Sequence, residues 1–278
     1  MRFEIASELE LFAASIRGVL AGWEPQPEPV LGDWADSRDD DLGARLAELG
    51  WAELWADPEL LGPTVAGAME LGRVVAPLHL VDEATLGAPL VVGGRVRHGE
   101  GQVEAAFAVR DGGLALDPIG EGRREPSLDS TGTVVVAASS RHVVSDAAAR
   151  WHAWGAATVA YLAGLADGAV ARTVEHVRSR EQFGAPLAAL PAVQAKLADA
   201  ALARDGLLLA AWSLAAPDAP AADVLAWAGT ACRDVTAIAQ QAHGAIGFAL
   251  ESGLHRAYRR AKTVQVWTEA VRLRTAAQ

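Results

Sequence analysis

The sequence has few cysteines, few basic residues and no long apolar runs, and each shortage excludes a class of protein. Cys232 is the single cysteine, so the chain has no internal disulfide framework, which is typical of a reducing compartment. Lys and Arg total 24 against 35 Asp and Glu, and the net charge of −11 argues against nucleic-acid binding, because no positive field attracts a polyanion. No run of about 18 apolar residues carries membrane-like flanks, so we expect no membrane association and a cytoplasmic protein.

Hydrophobic residues, by contrast, are abundant at 51%, and their periodicity divides the chain into three regions. Residues 1–90 show helical spacing, residues 91–145 contain short β-branched or alternating runs, and residues 146–278 return to long helical stretches. We therefore predict a mainly α protein with an N-terminal helical domain, a reduced antiparallel β middle domain and a C-terminal four-helix bundle. The predicted helices cover approximately residues 4–21, 41–51, 62–75, 146–178, 191–216, 222–242 and 252–275.

The segment RSREQFGAPL, residues 178–187, places an arginine and an aromatic ring at the predicted exit of a long helix. Gly184 suits the left-handed residue just past a helix end, and Pro186 prevents the helix from continuing. Arg180 and Phe183 are then either surface residues or ligand contacts, since arginine binds diphosphates bidentately and an aromatic ring offers a flat face to a base. Taken alone, the segment favours a surface turn.

The segment QQAHGAIGF, residues 240–248, contains a second predicted helix break. Gly244 and Gly247 expose backbone amides between two helical stretches, and such amides can approach a phosphate closely. The spacing is not the G-x-G-x-x-G dinucleotide fingerprint, which needs a preceding strand. In isolation, a tight interhelical turn is the simpler interpretation.

Together, the two segments resemble the C-terminal helical domain of the acyl-CoA dehydrogenase family. The similarity lies in R-x-Q-F-G-x-P-L after a long helix, followed later by Q-x-x-G-x-x-G-F and R-x-x-R-R-A-K. AVQAKLADA, residues 192–200, matches as well, and LAELGWAELWADPELLG, residues 46–62, is similar to a phrase in the family's N-terminal helical domain. The resemblance therefore implies an acyl-CoA dehydrogenase-like fold.

The resemblance also implies FAD as a cofactor that is shared across a subunit interface. In the family, these motifs contact the diphosphate and adenine ends of a neighbouring subunit's flavin. Two departures affect these contacts: Ala245 replaces a usual glycine, and Pro191 stands where the family often has glutamine. The residues that the resemblance assigns to cofactor binding are Arg180, Gln182, Phe183, Gln241, Gly244 and Gly247.

The family's catalytic glutamate and flavin-ring site have no counterparts at the matching positions. One of the two positions that the glutamate takes in the family corresponds to Thr268. Glu269 is the next residue, and its side chain is therefore rotated by about 100° around the helix from that position. The other location, upstream of Arg180, falls near Trp154. Residues 91–145 lack the Thr-Glu-Pro and Gly-Ser-Asp segments that cradle the isoalloxazine in the family. No residue of this chain is therefore assigned as catalytic.

Other kinds of site find little support in the sequence. The seven histidines include no H-x-x-x-H pair and lie in different predicted elements, so we expect no metal site. His243 could contact a cofactor, although a local hydrogen bond in a turn is the simpler role. Cys232 has no evident base beside it and is expected to be a buried apolar residue.

The resemblance as a whole implies the shortened subunit of a heterotetrameric acyl-CoA dehydrogenase that acts on a bulky, steroid-type CoA thioester. A larger partner subunit would supply the glutamate and the flavin-ring site and would bind most of the acyl-CoA, and an electron-transfer acceptor is implied as a further partner. Two alternatives remain open. One is a self-sufficient homo-oligomeric dehydrogenase that uses Glu269, and the other is a degenerate family member with a binding or structural role.

Overall fold

The chain folds mainly into α-helices, with one small sheet and a short β-hairpin, in a computed structural model. This confirms the predicted fold class. The structure describes residues 7–24, 40–88, 90–92, 95–96, 105–110, 113–118, 124–125, 133–135, 142–143, 146–182, 184–216 and 221–276.

The N-terminal region is helical, as its apolar periodicity predicts. In the first helix, Ala13, Ile16 and Leu20 are the buried residues, and their spacing of three and four places them on one face. A short fourth helix was not predicted; it ends at Gly87, whose positive φ of 71° lets its N–H bond to the carbonyls of Asp82 and Glu83. The helices are α1 (Ser7–Leu20), α2 (Asp40–Ala47), α3 (Leu61–Arg73) and α4 (His79–Leu86), with 3₁₀ segments at Trp51–Ala56 and Pro58–Leu60.

The middle region forms a seven-stranded sheet in the order β5-β6-β2-β1-β3-β4-β7. All pairings are antiparallel, as predicted, except that β1 and β3 run parallel. The strands are β1 (Leu90–Val92), β2 (Arg95–Val96), β3 (Ala105–Arg110), β4 (Gly113–Pro118), β5 (Arg124–Glu125), β6 (Thr133–Val135) and β7 (His142–Val143).

Four long helices form the C-terminal region, and their ends lie close to the predicted ones. The first of them is central, because every residue from 154 to 166 is buried. The helices are α5 (Ala147–Ser179), α6 (Pro191–Ser213), α7 (Ala221–His243) and α8 (Leu254–Ala276), with the hairpin strands β8 (Glu181–Gln182) and β9 (Ala185–Pro186) after α5 and 3₁₀ segments at Leu187–Ala189, Gly244–Phe248 and Leu250–Ser252.

Helices α3 and α5 pack backbone against backbone through glycines. A Cβ added to Gly164 of α5 would lie 1.9 Å from the carbonyl oxygen of Met69, and one added to Gly72 of α3 would lie 2.0 Å from that of Tyr161. Helices from both ends of the chain therefore share one apolar core. The division into domains at residues 1–90, 91–145 and 146–278 stays a prediction.

None of the helices in the described ranges combines the length and the hydropathy that a membrane span requires.

Candidate functional site

The C-terminal end of α5 leads directly into the β8–β9 hairpin. Arg180 follows the last helical residue with extended backbone angles, φ −83° and ψ 121°. Gly184 has φ +79° in the turn that joins Gln182 to its partner Ala185. The predicted left-handed conformation of Gly184 is therefore present, but its predicted place just past the helix end is wrong. The chain leaves the helix at Arg180, and the glycine serves a hairpin turn instead.

Two of the predicted cofactor-binding side chains are exposed in this hairpin region. The backbone of Arg180 is fixed, because its N–H donates to the carbonyl of His176 and its own carbonyl accepts from Leu187, both at 2.8 Å. Its side chain is exposed, and so is that of Gln182, whose Nε2 donates to the carbonyl of Glu181 at 2.9 Å. Phe183 lies outside the described residues.

The second predicted segment begins where α7 ends, at His243. Gln241 and Gly244 are exposed, and Gly244 has a positive φ of 64° that favours glycine. Gly247 is buried, and a Cβ added there would lie 2.5 Å from the carbonyl oxygen of Gln240. Close packing therefore explains why residue 247 is a glycine, and the positive φ explains why residue 244 is one.

A pair of stacked histidine rings brings the two segments together. His176 lies one helical turn before Arg180, and His243 directly precedes Gly244. Their ring centroids are 4.1 Å apart with an interplanar angle of 19°. His243 Nδ1–H donates to the carbonyl of Ala239 at 2.8 Å, which fixes the orientation of that ring. Sequence positions that are far apart therefore share one corner of the bundle.

Two arginines act on this histidine pair. Arg172, Arg180 and the two histidines are named here the cationic corner. Arg172 donates to the carbonyl of Ser252, and burial lowers its pKa. Burial and then Arg180 lower the pKa of His176, whereas burial, His176 and Arg172 lower that of His243 against the opposing effect of its bond to Ala239. The corner can accept an anion, because each of these charge interactions is repulsive.

Sequence reasoning missed His176 and Arg172 as possible site residues. The signal was nevertheless present, because positions 172 and 176 are four residues apart and so lie on one face of α5, and Arg180 follows four residues later at the helix end. The contact of His176 with His243 carries no such signal, since it joins two different helices.

The positions that correspond to the family's catalytic glutamate are occupied by packing residues. Thr268 is buried, donates to the carbonyl of Gln265 at 3.0 Å and packs against Gly229 of α7. Trp154 is also buried, and its Nε1–H donates to Asp82 Oδ1 at 3.0 Å. Neither position presents a base to a ligand.

Glu269 faces away from the buried side of α8. Its side chain is 48% exposed and forms an ion pair with Arg272 at 2.7 Å. The hydrogen bond from Arg272 lowers the pKa of this carboxyl group. A weakened base on the outer surface is poorly suited to removing the α-proton of a thioester.

The other candidates for a reactive site are the single thiol and a cluster of metal-ligating side chains. Cys232 is buried, as predicted, and burial raises the pKa of its thiol, so the nucleophilic thiolate is suppressed. In the ranges that the structure describes, no cluster of three His, Cys, Asp or Glu side chains could hold a metal ion.

Comparison with known families and curated proteins finds similarity in the C-terminal part of the chain. Residues 148–277 match the family model of the acyl-CoA dehydrogenase C-terminal domain. A curated relative, 3-sulfinopropanoyl-CoA desulfinase of Paraburkholderia xenovorans strain LB400, is 37% identical over 114 residues. That match covers 39% of this chain and 29% of the relative, so it spans less than a third of the relative's length.

Solved structures extend the similarity to the whole fold. The ChsE4–ChsE5 complex from Mycobacterium tuberculosis aligns with a TM-score of 0.71 and 20% identity, over 100% of this chain and 98% of the matched chain. A steroid acyl-CoA dehydrogenase variant, Tcur3481–Tcur3483, aligns with a TM-score of 0.70 and 19% identity, over 97% and 98%. The chain thus has an acyl-CoA dehydrogenase-like fold, and its residues 148–277 match the C-terminal domain of that family. The resemblance seen in the sequence is confirmed at this level.

Proposed function

We propose that this chain is the shortened, non-catalytic subunit of a heterotetrameric, FAD-dependent acyl-CoA dehydrogenase of the cytoplasm. The chain would contact the adenine and diphosphate end of FAD through Arg180, Gln182, Phe183, Gln241, Gly244 and Gly247. A larger partner subunit would supply the catalytic glutamate and the isoalloxazine site and would bind most of the acyl-CoA.

The observation that carries this proposal is that, among the described residues, neither family position of the catalytic glutamate nor Glu269 offers a usable base. Thr268 and Trp154 are buried in helix packing, and Glu269 is exposed and paired with Arg272. An α,β-dehydrogenation needs a base within hydrogen-bond reach of the α-proton, and bound FAD supplies the acceptor for the β-hydride. The proton transfer is therefore assigned to the partner subunit.

The chemistry of the cationic corner fits the phosphate end of such a cofactor. Arg180 is exposed and has no ion-pair partner within the described residues, so its guanidinium is available for a bidentate contact with a diphosphate. The charges that act on His176 and His243 are themselves cationic. An anion bound here would relieve repulsion rather than displace an existing ion pair.

An exposed apolar patch on α6 and α7 suits a subunit interface. Leu202 and Leu209 of α6 are 72% and 42% exposed, and Trp227 of α7 is 46% exposed. These side chains are adjacent, because Trp227 lies over Gly206, between the two leucines along α6. A contiguous apolar patch is typical of protein–protein contact, and we assign it to the partner subunit.

The names of the similar structures favour a two-component enzyme. One is described as a ChsE4–ChsE5 complex and the other as the Tcur3481–Tcur3483 steroid acyl-CoA dehydrogenase. The match extends over 98% of the matched chain in each case. On this basis the substrate class is proposed to be a steroid side-chain CoA thioester, with electrons passing to an electron-transfer acceptor.

Co-expression with a full-length homologous subunit that keeps the glutamate and the flavin-ring segments tests the proposal. We expect this chain alone to purify colourless, and the complex to purify yellow and to dehydrogenate acyl-CoA with an artificial electron acceptor. Yellow, active protein from this chain alone would favour the homo-oligomeric alternative. A complex without flavin, or no complex, would favour a degenerate family member.

The variant Glu269→Gln separates the proposal from the self-sufficient alternative. Because Glu269 is exposed and engaged with Arg272, we expect kcat of the complex to change by less than about twofold. A loss of several orders of magnitude would identify Glu269 as the base and overturn the proposed division of labour. Glu251→Gln, another exposed carboxylate on a different segment, serves as the matched control.

A further inference from the structure

We propose that His176 and His243 are themselves nucleotide-binding residues, and that the stacked pair takes up a proton when a diphosphate binds beside Arg172 and Arg180. This inference rests on the proposed function, in which the cationic corner receives the nucleotide end of FAD. It adds two contact residues and a coupling between cofactor binding and pH.

The geometry of the pair identifies the atom that takes the proton. His243 Nδ1 already donates to the carbonyl of Ala239, so the lone pair of the neutral ring lies on Nε2. Protonation at Nε2 turns that atom into a donor for a phosphate oxygen. His176 stacks on this ring with centroids 4.1 Å apart, one turn from Arg180, so both rings belong to the same binding surface.

The charges around the pair explain why binding and protonation are coupled. In addition to burial, Arg180, just past the end of α5, lowers the pKa of His176, and His176 and Arg172 lower the pKa of His243. Glu175 of α5 and Glu251 of the adjoining 3₁₀ segment are exposed, and neither shifts the pKa of either ring. The free pair is therefore held neutral. A bound diphosphate supplies the missing negative charge and favours the imidazolium form.

The extent of proton uptake is limited by the stacking distance. Two positive rings 4.1 Å apart repel each other, so the pair titrates as a coupled unit and we expect uptake of about one proton. By linkage, one proton corresponds to an increase in affinity of at most about tenfold for each pH unit between neutral and mildly acidic pH.

Isothermal titration calorimetry on the full-length chain, alone and in the complex, tests this inference. ADP-ribose is the probe, because its diphosphate diester does not titrate near neutral pH and so contributes no protons of its own. Measuring the binding enthalpy in buffers of different ionisation enthalpy gives the number of protons taken up. We expect about one at pH 6.5 for the wild-type protein, and weaker binding as the pH rises to 8.

The double variant His176→Phe and His243→Phe keeps two stacked rings and removes the titrating nitrogens. We expect it to bind ADP-ribose through Arg180 with tenfold or weaker affinity at pH 6.5, without proton uptake. Arg178→Gln, an exposed position on another face of α5, is the control and should retain the wild-type uptake. Unchanged uptake in the double variant, or none in the wild type, would overturn the inference.

The outcomes also distinguish this inference from the proposed function. A yellow, active complex whose ADP-ribose or FAD binding is independent of pH would leave the proposed function standing and remove only the role of the histidines. Proton-coupled ADP-ribose binding in a complex that never retains flavin would support the role of the histidines and contradict the proposed function. No binding of ADP-ribose to the chain or to its complex would overturn the inference as well.

Discussion

At the residue scale, Arg180 is the side chain on which the proposed cofactor contact depends most. Its backbone is fixed by hydrogen bonds to His176 and Leu187, and its guanidinium is exposed. Replacing it in Arg180→Gln removes a charge-assisted hydrogen bond worth about 1.5–3 kcal/mol. We expect the Kd of FAD for the complex to rise about 10- to 100-fold, as measured by the fluorescence of released flavin.

The control for this prediction is Arg178→Gln. Arg178 is exposed and lies two residues before Arg180, in the last turn of α5. Its loss changes the net charge by the same amount but leaves the corner intact, so we expect less than a twofold change in Kd. Equal losses for both variants would mean that overall charge, and not a contact by Arg180, determines flavin binding.

We expect the stability of the folded protein to depend on pH through the stacked histidines. Burial and neighbouring cations hold the pKa of both rings below the usual value, so the unfolded chain, with a pKa of about 6.5, takes up protons first. The stabilisation is complete above that value and is lost as the pH falls through the window between the unfolded and the folded pKa. Thermal denaturation between pH 5 and 7.5 should therefore show a smaller acid-induced decrease in Tm for the His176→Phe and His243→Phe variant than for the wild type.

The candidate site shows what local sequence can and cannot predict. Motif resemblance drew attention to Arg180 and Gly244, which the structure finds exposed on the same corner of the bundle. It missed His176, because a ring contact between α5 and α7 depends on how those helices pack. The local Gly-x-Pro pattern gave Gly184 a helix-capping role, since a helix cap and a hairpin turn both favour glycine at positive φ.

At the element scale, the contact between α3 and α5 requires glycine. A Cβ at Gly164 would lie 1.9 Å from the carbonyl oxygen of Met69, and because that atom is backbone, neither helix can yield without moving. We expect Gly164→Ala to lower the free energy of unfolding by about 3 kcal/mol, despite the better helix propensity of alanine. Denaturant unfolding measures the change.

The same substitution in an open position is the matched control. Gly18 lies on the exposed face of α1, and an added Cβ would have nothing within 4 Å. Gly18→Ala should therefore increase the free energy of unfolding by about 0.5–1 kcal/mol through helix propensity alone. If Gly164→Ala were equally stabilising, the close approach of α3 and α5 would not exist.

The elements that the sequence predicted are those with a strong period of their own. The long helices were predicted with ends within a few residues, because 14 to 33 residues carry several turns of apolar spacing. The eight-residue helix α4 was missed, since eight residues carry only about two helical turns of pattern. The parallel pairing of β1 with β3 was also missed, because strand order depends on the path of the whole chain.

At the scale of the whole molecule, a network of charges links helices from both ends of the chain. Glu70 of α3 accepts from Arg17 of α1 and from Arg73, which also donates to Asp167 of α5 at 2.9 Å. Asp167 in turn pairs with Arg204 of α6 at 3.3 Å. Burial alone would lower the pKa of Arg73, but Glu70 and Asp167 outweigh it and raise that pKa. The network therefore favours one arrangement of four helices.

Glu70 is the member of this network whose loss should cost most. Its side chain is only 5% exposed, and Glu70→Gln leaves Arg17 and Arg73 without their shared carboxylate. Because both arginines are partly exposed and can turn to water, we expect a loss of about 2 kcal/mol rather than the larger cost of a fully buried pair. The control is Glu10→Gln, which removes another carboxylate from Arg17. Because Glu10 is 56% exposed, the urea midpoint of unfolding of this variant should hardly differ from that of the wild type. Similar midpoints for the two variants would show that the network contributes no more than an ordinary surface ion pair.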